Sequence, residues 1–413
     1  MFLRLATKSL INRRGSVLLT LLAMAVGIFV LLGVEHTRNQ ARESFANTVS
    51  GIDLIVGART GSLNLLLYSV FRVGAATNEI EWESFNAIAS SPNVAWAIPI
   101  ALGESHKGYR VMGTTQAYFD HFSYGSQRKL VIAEGQPFTD VYDVVLGSEV
   151  ARKLGYSLGD ELIVAHGIAE VSYALHDDSP FTVVGILAPT GTPVDQTLHV
   201  SLKGIEAIHI GWEQGVKLQG STELRESSDL SVLEPDHITA AMLGLKSRAA
   251  TFKMQRLINE FADEPLLAIL PGVALTELWQ MMGVLENVLR LISLLVLGSA
   301  VLGLAAMLLA SIRERDQEIQ LLRVIGAPPL FLFLLIELEA LLITAFGVAL
   351  GALVLFLCVV LVDDWLMVSF GLHVSPLIFS GDSVYLIAAV LLATLVAAAT
   401  PSFNAYRRAR LVD

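Results

Sequence analysis

The sequence contains a single cysteine, Cys358, which lies inside a long apolar run. No disulfide can therefore form within the chain, and any domain outside a membrane must be held together by packing alone. Charged residues are also scarce, at 16% of the 413 residues, whereas 54% are hydrophobic and the mean hydropathy is +0.60. This balance is typical of a membrane protein that also carries a sizeable soluble part.

Common signatures of catalysis and nucleotide binding are missing as well. No Gly-Lys dipeptide occurs, which excludes a phosphate-binding P-loop. There is no His-Glu-x-x-His zinc helix, and one cysteine cannot make a Cys-x-x-Cys pair. We therefore expect a non-catalytic chain without a bound cofactor. If ATP and Mg²⁺ drive this protein, a different polypeptide binds them.

Four apolar runs are long enough, or nearly so, to cross a bilayer as helices. They are Ser16–Val34, Leu291–Ile312, Leu330–Val362 and Val384–Thr400. The interval between the first two, about 250 residues, has globular composition and is large enough for a core of its own. The sequence thus predicts an α-helical membrane protein with four transmembrane helices and a large extracytoplasmic α+β domain inserted between helices 1 and 2.

The orientation follows from the basic residues of the short segments. Residues 1–15 carry four basic residues and no acid, and residues 401–413 carry three arginines, whereas the loop at 363–383 carries three aspartates and no Lys or Arg. Because basic residues stay on the cytoplasmic side, we expect both chain ends in the cytoplasm of a bacterial inner-membrane protein. Most of the net charge of −11 then falls on the outer part, which would repel nucleic acid.

The predicted organisation is multi-pass, and the first run is expected to stay as an anchor because it lacks the small-x-small site of a cleaved signal peptide. In chain order we predict a cytoplasmic amphipathic helix (1–15), transmembrane helix 1 (16–35), a periplasmic α+β domain with stalks (36–285), transmembrane helix 2 (286–312), a cytoplasmic coupling helix (313–329), transmembrane helix 3 (330–362), a short outer loop (363–383), transmembrane helix 4 (384–400) and a cytoplasmic tail (401–413).

The only dense charged stretch in the C-terminal third lies between the second and third apolar runs, at Ser311–Pro329. Ile319, Leu322 and Ile325 recur there at roughly helical spacing, which predicts a short amphipathic helix on the membrane surface. Gly326 and the two following prolines then end it. Its apolar stripe would be buried in the groove of a soluble partner or, as the alternative, against lipid headgroups.

Between Val94 and Leu198 short β-runs alternate with turn residues, which is typical of an α+β domain. One earlier segment, Gly61–Gly74, is unusually apolar for a region outside the membrane. We favour a core helix there, but an exposed surface that touches lipid, cargo or a partner is the alternative. The residues concerned are Leu63, Leu66, Leu67, Val70 and Phe71.

Two further groups are weaker candidates for a functional role. Glu337 and Glu339 lie within the third apolar run, where an acid usually faces a cavity, another helix or the headgroup layer. Because they are two residues apart, they cannot share one helix face, and we expect one to point at a helix and the other at the interface. His176, Asp177 and Asp178 combine metal-ligating side chains, although the nine histidines are scattered and a metal site is not the favoured interpretation.

The order of elements and several motifs resemble the FtsX-like permease family, which includes the macrolide-exporter and lipoprotein-releasing permeases of ABC systems. The loop between runs two and three has the pattern ERxxEIxxLRxIGA, which is similar to the family's motif, and Glu337, Gly347 and Gly351 lie where the family places an acid and small residues. Two outer stretches, Val144–Val164 and Phe181–Leu202, also resemble the family's outer-domain core. Asp316-Gln317 departs from the usual basic pair.

The resemblance implies a dimeric permease, as a homodimer or a pseudo-symmetric heterodimer, that binds two copies of a cytoplasmic ABC ATPase. It implies coupling of ATP hydrolysis to movement of the outer domain (mechanotransmission), for export or extraction of a hydrophobic, lipidated or peptide cargo, with a periplasmic adaptor or cargo protein as a further partner. The alternative is a membrane regulator of extracytoplasmic enzymes or a metal-homeostasis-linked ABC permease. The residues expected to contact the ATPase are Arg315, Glu318, Ile319, Leu322, Arg323, Ile325 and Gly326.

Overall fold

The computed structural model describes residues 2–167, 179–210, 233–314, 328–370, 375, 377–379 and 381–410. These residues form two compact units. One comprises residues 1–41, 282–364 and 374–413, and the other comprises residues 42–281 and 365–373. The first contains the apolar helices and the second contains the α+β domain.

Eleven α-helices are described in these ranges. They are α1 (Phe2–Asn12), α2 (Arg14–Thr48), α3 (Ser62–Ser69), α4 (Trp82–Ala89), α5 (Ala117–His121), α6 (Ser148–Leu154), α7 (Leu202–His209), α8 (Thr251–Asn259), α9 (Pro271–Glu314), α10 (Pro329–Phe370) and α11 (Gly381–Arg410). Short 3₁₀ turns occur at Pro193–Gln196 and Arg248–Ala250.

The same ranges contain fifteen β-strands. They are β1 (Leu54–Ala58), β2 (Ile80–Glu81), β3 (Val94–His106), β4 (Tyr109–Thr114), β5 (Ser123–Tyr124), β6 (Arg128–Lys129), β7 (Ile132–Gly135), β8 (Asp143–Leu146), β9 (Glu161–Leu162), β10 (Ala165–His166), β11 (Phe181–Leu187), β12 (Thr197–Ser201), β13 (His237–Ile238), β14 (Ala240–Leu245) and β15 (Leu266–Ile269).

Four helices are long and apolar enough to cross a membrane, namely α2, α9, α10 and α11. The helix bounds extend past the apolar runs, because hydropathy marks only the part that suits hydrocarbon. Helix α9 has 44 residues, or about 66 Å at 1.5 Å per residue, whereas a bilayer core needs about 30 Å. Helix α10 continues to Phe370, into the segment at 363–383 that was expected to be a loop.

Small residues allow the apolar helices to approach one another closely. A methyl group added at Gly351 would lie 2.7 Å from the backbone oxygen of Ala25, and one added at Gly347 would lie 2.9 Å from Cβ of Met24. Both glycines of this G-x-x-x-G spacing therefore face α2, where a side chain would not fit. Around this contact, side chains from α2, α9, α10 and α11 form one buried apolar cluster.

One eleven-stranded sheet organises the α+β domain, with the main path β15-β1-β14-β3-β4-β12-β8-β11-β7. Strand β3 is long enough to serve both halves: its first part pairs with β14 and its second part with β4. The two short strands β10 and β9 are added beside β3 and β11. Three apolar clusters pack on this sheet, and no disulfide is needed to hold it.

The prediction of short β-runs between Val94 and Leu198 is confirmed, since β3 to β11 lie there. Strand β3 is longer than the pattern suggests, because it continues to His106. Strands β7, β12 and β15 of the main path were not predicted, and of these only β15 is a purely apolar run. A run of four or five apolar residues has no distinctive periodicity, so its neighbours in the sheet decide its conformation.

Candidate functional site

The predicted ATPase-contacting residues, Arg315 to Gly326, lie outside the described residues. The same is true of the weak metal candidates His176, Asp177 and Asp178. Their roles stay predictions based on the sequence. The described residues do show how the helices on either side of the segment at 315–327 are fixed, and where the other candidates lie.

The apolar segment at 61–74 forms α3, and its central side chains belong to the core of the outer domain. Leu66 is completely buried and Val70 is 4% exposed. Leu63, Leu67 and Phe71 are half-buried. The structure therefore favours packing over an exposed contact surface for most of this segment.

Phe71 has a more specific environment than its neighbours, because it lies beside the helices that continue into the apolar spans. Its ring centroid is 4.6 Å from that of Phe45 on α2. Phe45 in turn packs edge-on against Trp279 of α9 at 5.6 Å, and the Arg42 guanidinium lies 5.4 Å from the Trp279 ring. In addition, the Ser62 hydroxyl donates to the Glu277 carboxylate. Together these contacts join α2, α3 and α9, and we call them the stalk junction.

A second set of contacts joins α2 to α9 through charged side chains. Glu35 of α2 accepts from Arg38 one turn further on and from Arg290 of α9, the latter at 3.4 Å. Arg38 also lies 3.7 Å from a carboxylate oxygen of Glu286. Glu35 is only 5% exposed, and this four-residue network joins the two helices through a carboxylate that is largely shielded from solvent.

Glu337 and Glu339 are both buried in the structure, at 8% and 1% exposure. Oε1 of Glu339 accepts from the Ser9 hydroxyl at 2.6 Å, and Oε2 accepts from Arg13 at 3.1 Å. Neither oxygen of Glu337 has a hydrogen-bond partner among the described residues. Both acids are covered by neighbouring helices, because α10 has helices packed on more than one face. The partners of Glu339 belong to the segment predicted to lie on the cytoplasmic surface, and that one acid points to this interface stays a prediction.

Sequence reasoning missed a cluster in the outer domain that consists of Glu104, His166 and His209. Nδ1 of His166 lies 2.6 Å from Oε1 of Glu104, and Nε2 of His209 lies 3.2 Å from the same oxygen. The two imidazole rings are stacked, with centroids 4.9 Å apart. Both histidines were visible in the sequence as members of a scattered set, but no spacing connects them with Glu104.

Local structure explains why these three side chains meet. The β3–β4 register shifts between Leu102 and Ser105, so Glu104 lies in an irregular part of β3, where a bulge redirects side chains. Strand β10 pairs with β3 there and places His166 directly opposite Glu104. Helix α7, capped by the Ser201 hydroxyl that accepts from the backbone N–H of Gly204 at 2.9 Å, ends at His209.

The electrostatics of the cluster follow from burial and hydrogen bonding. Burial raises the pKa of Glu104, but hydrogen bonds from His166 and His209 outweigh it, and the pKa lies below its usual value. The hydrogen bond with Glu104 raises the pKa of His166 against the opposing effect of its partial burial. Nearby, burial raises the pKa of Glu206. The two imidazoles thus favour the ionised form of the Glu104 carboxylate inside the domain.

The expectation that common catalytic signatures are missing needs one correction, because a Gly-x-Ser-x-Gly spacing does occur at Gly155–Gly159. A hydrolase nucleophile elbow needs a strand before the serine and a helix after it. Here α6 precedes the serine, Gly155 ends that helix with φ 71°, and the backbone N–H of Ser157 donates to Asp160 at 2.8 Å. The segment is a helix-terminating turn and not a nucleophile elbow.

Family comparison accounts for both units of this architecture. Residues 17–241 match the MacB-like periplasmic core domain, and residues 290–409 match the FtsX-like permease C-terminal domain. The chain belongs to the MacB/FtsX-like ABC transporter permease family. Members of this family are generally non-catalytic membrane subunits that work with an ABC ATPase, which agrees with the four apolar helices. No curated protein matches the sequence.

Two of the solved structures to which this permease is similar are of outer domains. The periplasmic region of MacB from Actinobacillus actinomycetemcomitans is 13% identical, covers 57% of this chain and 97% of its own, and superposes with a TM-score of 0.35. The extracellular domain of the noncanonic ABC-type transporter YknZ from Gram-positive bacteria is 15% identical, covers 53% of this chain and 98% of its own, and has a TM-score of 0.30.

Proposed function

We propose that this permease converts ATP hydrolysis by a partner ATPase into movement of its outer domain. The observation that carries the proposal is the double connection between α2 and α9. Each helix contains an apolar span and continues beyond it, and the two are joined by the Glu35–Arg290 network and again at the stalk junction. Two helices held together in this way would move as one body when either is displaced.

The cytoplasmic side of this device would be the segment at 313–329, which follows α9 directly. Its apolar stripe would lie in a groove of the ATPase, so that closure of two ATPase copies displaces α9 and, with it, α2. We propose a dimer of permeases bound to two ATPase copies, with both chain ends in the cytoplasm and residues 36–285 on the far side. The cargo would be a hydrophobic, lipidated or peptide molecule.

The test uses spin labels on the outer domain. Glu83 of α4 is exposed, and Cys358 is the only native cysteine, so Glu83→Cys in a Cys358→Ser background gives one label per permease. We expect the label-to-label distance in the complex with the ATPase to change when ATP and vanadate are added. An unchanged distance, with ATP hydrolysis intact, would overturn mechanotransmission.

The same variant tests the orientation. A membrane-impermeant maleimide should label Glu83→Cys from the periplasmic side of intact cells. Labelling only after the inner membrane is opened would contradict the proposed topology.

Regulation of outer enzymes is the second candidate, since the same movement would act on an enzyme in place of a cargo. ATP-dependent release of a lipidated protein from proteoliposomes would favour extraction. Movement without release, together with altered activity of an outer enzyme, would favour regulation.

A further inference from the structure

We propose that Glu104, His166 and His209 form a binding site for a divalent transition-metal ion of the Zn²⁺ class. Two imidazole nitrogens and one carboxylate oxygen lie within 4.8 Å of one another. This ligand set suits zinc and similar ions, which bind nitrogen readily, and suits Mg²⁺ and Ca²⁺ poorly, since those ions prefer oxygen. The inference is independent of the mechanism proposed above.

The distances need only a small adjustment to accept an ion. Ligands about 2.0–2.1 Å from a tetrahedral ion are separated from one another by about 3.3 Å. His209 already lies 3.2 Å from Oε1 of Glu104, and His166 would move outward by roughly 0.7 Å from its present 2.6 Å. Because His166 is at the end of the two-residue strand β10, such a movement leaves the main sheet undisturbed.

The second oxygen of Glu104 is an independent sign that the site is made for a ligand. Glu104 is 2% exposed, and its Oε2 has no hydrogen-bond partner among the described residues. A buried carboxylate oxygen without a partner is costly, and native proteins usually satisfy it. An ion bound by Glu104 would satisfy this oxygen, either directly or through a water on the ion.

The surroundings also favour a cation. The cluster faces a cavity of about 320 Å³ whose described lining contains three further acids and a third histidine but no Lys or Arg. The four additional residues are Glu79, Glu206, Asp236 and His237. A cavity with this lining concentrates cations and leaves room for a fourth ligand. Zinc sites with three protein ligands and one open position bind exchangeable ligands, whereas structural zinc sites are closed by four.

A bound ion would connect three elements that are otherwise joined only by packing and hydrogen bonds, namely β3, β10 and α7. The site would therefore make the local stability of the outer domain depend on the ion.

The experiment uses the full-length permease in detergent, treated with a chelator and desalted. Titration with Co²⁺ at about pH 7.5 should give the visible absorption bands of a low-coordinate Co²⁺ site, at one ion per chain, and Zn²⁺ should abolish them. In His166→Gln and in His209→Gln we expect the affinity to fall by at least tenfold, since even outer-shell partners of a metal are worth about 10–100-fold. Wild-type protein without these bands would overturn the proposal.

A matched control is available in the same domain. His121 stacks on Trp96 at 5.4 Å and does not line the cavity, so His121→Gln should bind Co²⁺ as the wild type does. An equal loss of affinity in His121→Gln and His166→Gln would overturn the site assignment.

A measurement on the wild type alone covers the case in which a variant fails to fold. Carbethoxylation of histidines, read by peptide mass spectrometry, should be slowed at His166 and His209 when Zn²⁺ is present and unchanged at His121. If Zn²⁺ protects neither His166 nor His209, the cluster is only a hydrogen-bonded acid–imidazole group and the proposal is wrong.

Discussion

The hydroxyl of Ser9 donates to Oε1 of Glu339 over 2.6 Å, although 330 residues of chain separate them. Arg13, one turn further along the chain from Ser9, binds the other carboxylate oxygen at 3.1 Å. Through Glu339, these two contacts connect the segment before the first span with the third span. They also explain how an acid can lie within an apolar run: it is neutralised by an arginine and is not left in hydrocarbon.

We predict that Glu339→Gln destabilises the permease, whereas Glu337→Gln does not. The first change leaves the largely buried Arg13 guanidinium without its carboxylate, which costs about 3 kcal/mol for a buried pair. The second replaces a buried carboxyl group, whose oxygens have no hydrogen-bond partner among the described residues, with an amide of the same size. Thermal inactivation in detergent, followed by size-exclusion chromatography, compares the two. Equal shifts would show that the Ser9–Arg13 contacts contribute nothing.

Close helix packing gives a second prediction. Gly351→Val should lower stability by about 1–3 kcal/mol, because its side chain would overlap the Ala25 backbone and Ile28. Gly298→Val is the matched control, since a methyl group at Gly298 meets no atom within 4 Å among the described residues. Urea-dependent loss of the assembled permease in detergent measures both, and similar losses in both variants would contradict the packing of α2 on α10.

Substitution by a charged residue tests whether the segment at 61–74 belongs to the core of the outer domain. Leu66→Asp should destabilise the outer domain, because it buries a carboxylate without a partner, and the domain should then lose protease resistance. Val73→Asp, at a position that is 58% exposed, should leave resistance unchanged. A protease-resistant Leu66→Asp protein without activity would instead indicate a contact surface.

The stability of the outer domain should depend on pH through His199. Its imidazole is fully buried and stacks on Tyr118 at 5.2 Å, and burial, together with the Arg72 charge, lowers its pKa to about 3. Above pH about 6.5 the ring is neutral in both the folded and the unfolded state. As the pH falls below this value, His199 of the unfolded chain binds a proton, whereas the buried ring of the folded domain does not. At pH 5 this difference lowers the free energy of unfolding by about 2 kcal/mol.

Pulse proteolysis of the full chain in urea, at pH 7.5 and pH 5, measures this dependence. His199→Gln should lose much of the destabilisation at pH 5, while His121→Gln should keep it. The same pH dependence in His199→Gln as in the wild type would assign the effect to other groups.

The coupling prediction concerns the segment at 313–329. Leu322→Asp should reduce binding or stimulation of the ATPase while the outer domain stays folded, because a charge in the apolar stripe opposes burial in a groove. Gln320 lies on the opposite side of the predicted helix, so Gln320→Asp should have little effect. Wild-type ATPase binding and turnover in purified Leu322→Asp would favour simple packing on headgroups.

The four spans, the place of the outer domain in the chain and its α+β class could be predicted from the amino-acid sequence alone. Bilayer thickness and backbone hydrogen bonding leave few alternatives for a long apolar run, and strand-forming runs between turn residues are equally local signals. The family followed from local motifs for the same reason. The full lengths of α2 and α9 could not be predicted in this way. The parts of these helices beyond the apolar runs are held by contacts between distant residues, such as that of Phe45 with Trp279.

Which polar side chains contact one another became visible only in the three-dimensional arrangement of the elements. Glu104 and His209 are 105 residues apart and touch because a bulge in β3 and the end of α7 face each other. Glu339 was visible as an unusual acid, but its partners Ser9 and Arg13 come from the other end of the chain. A sequence pattern records the period of one element, whereas such contacts depend on where separate elements pack, and no local period carries that information.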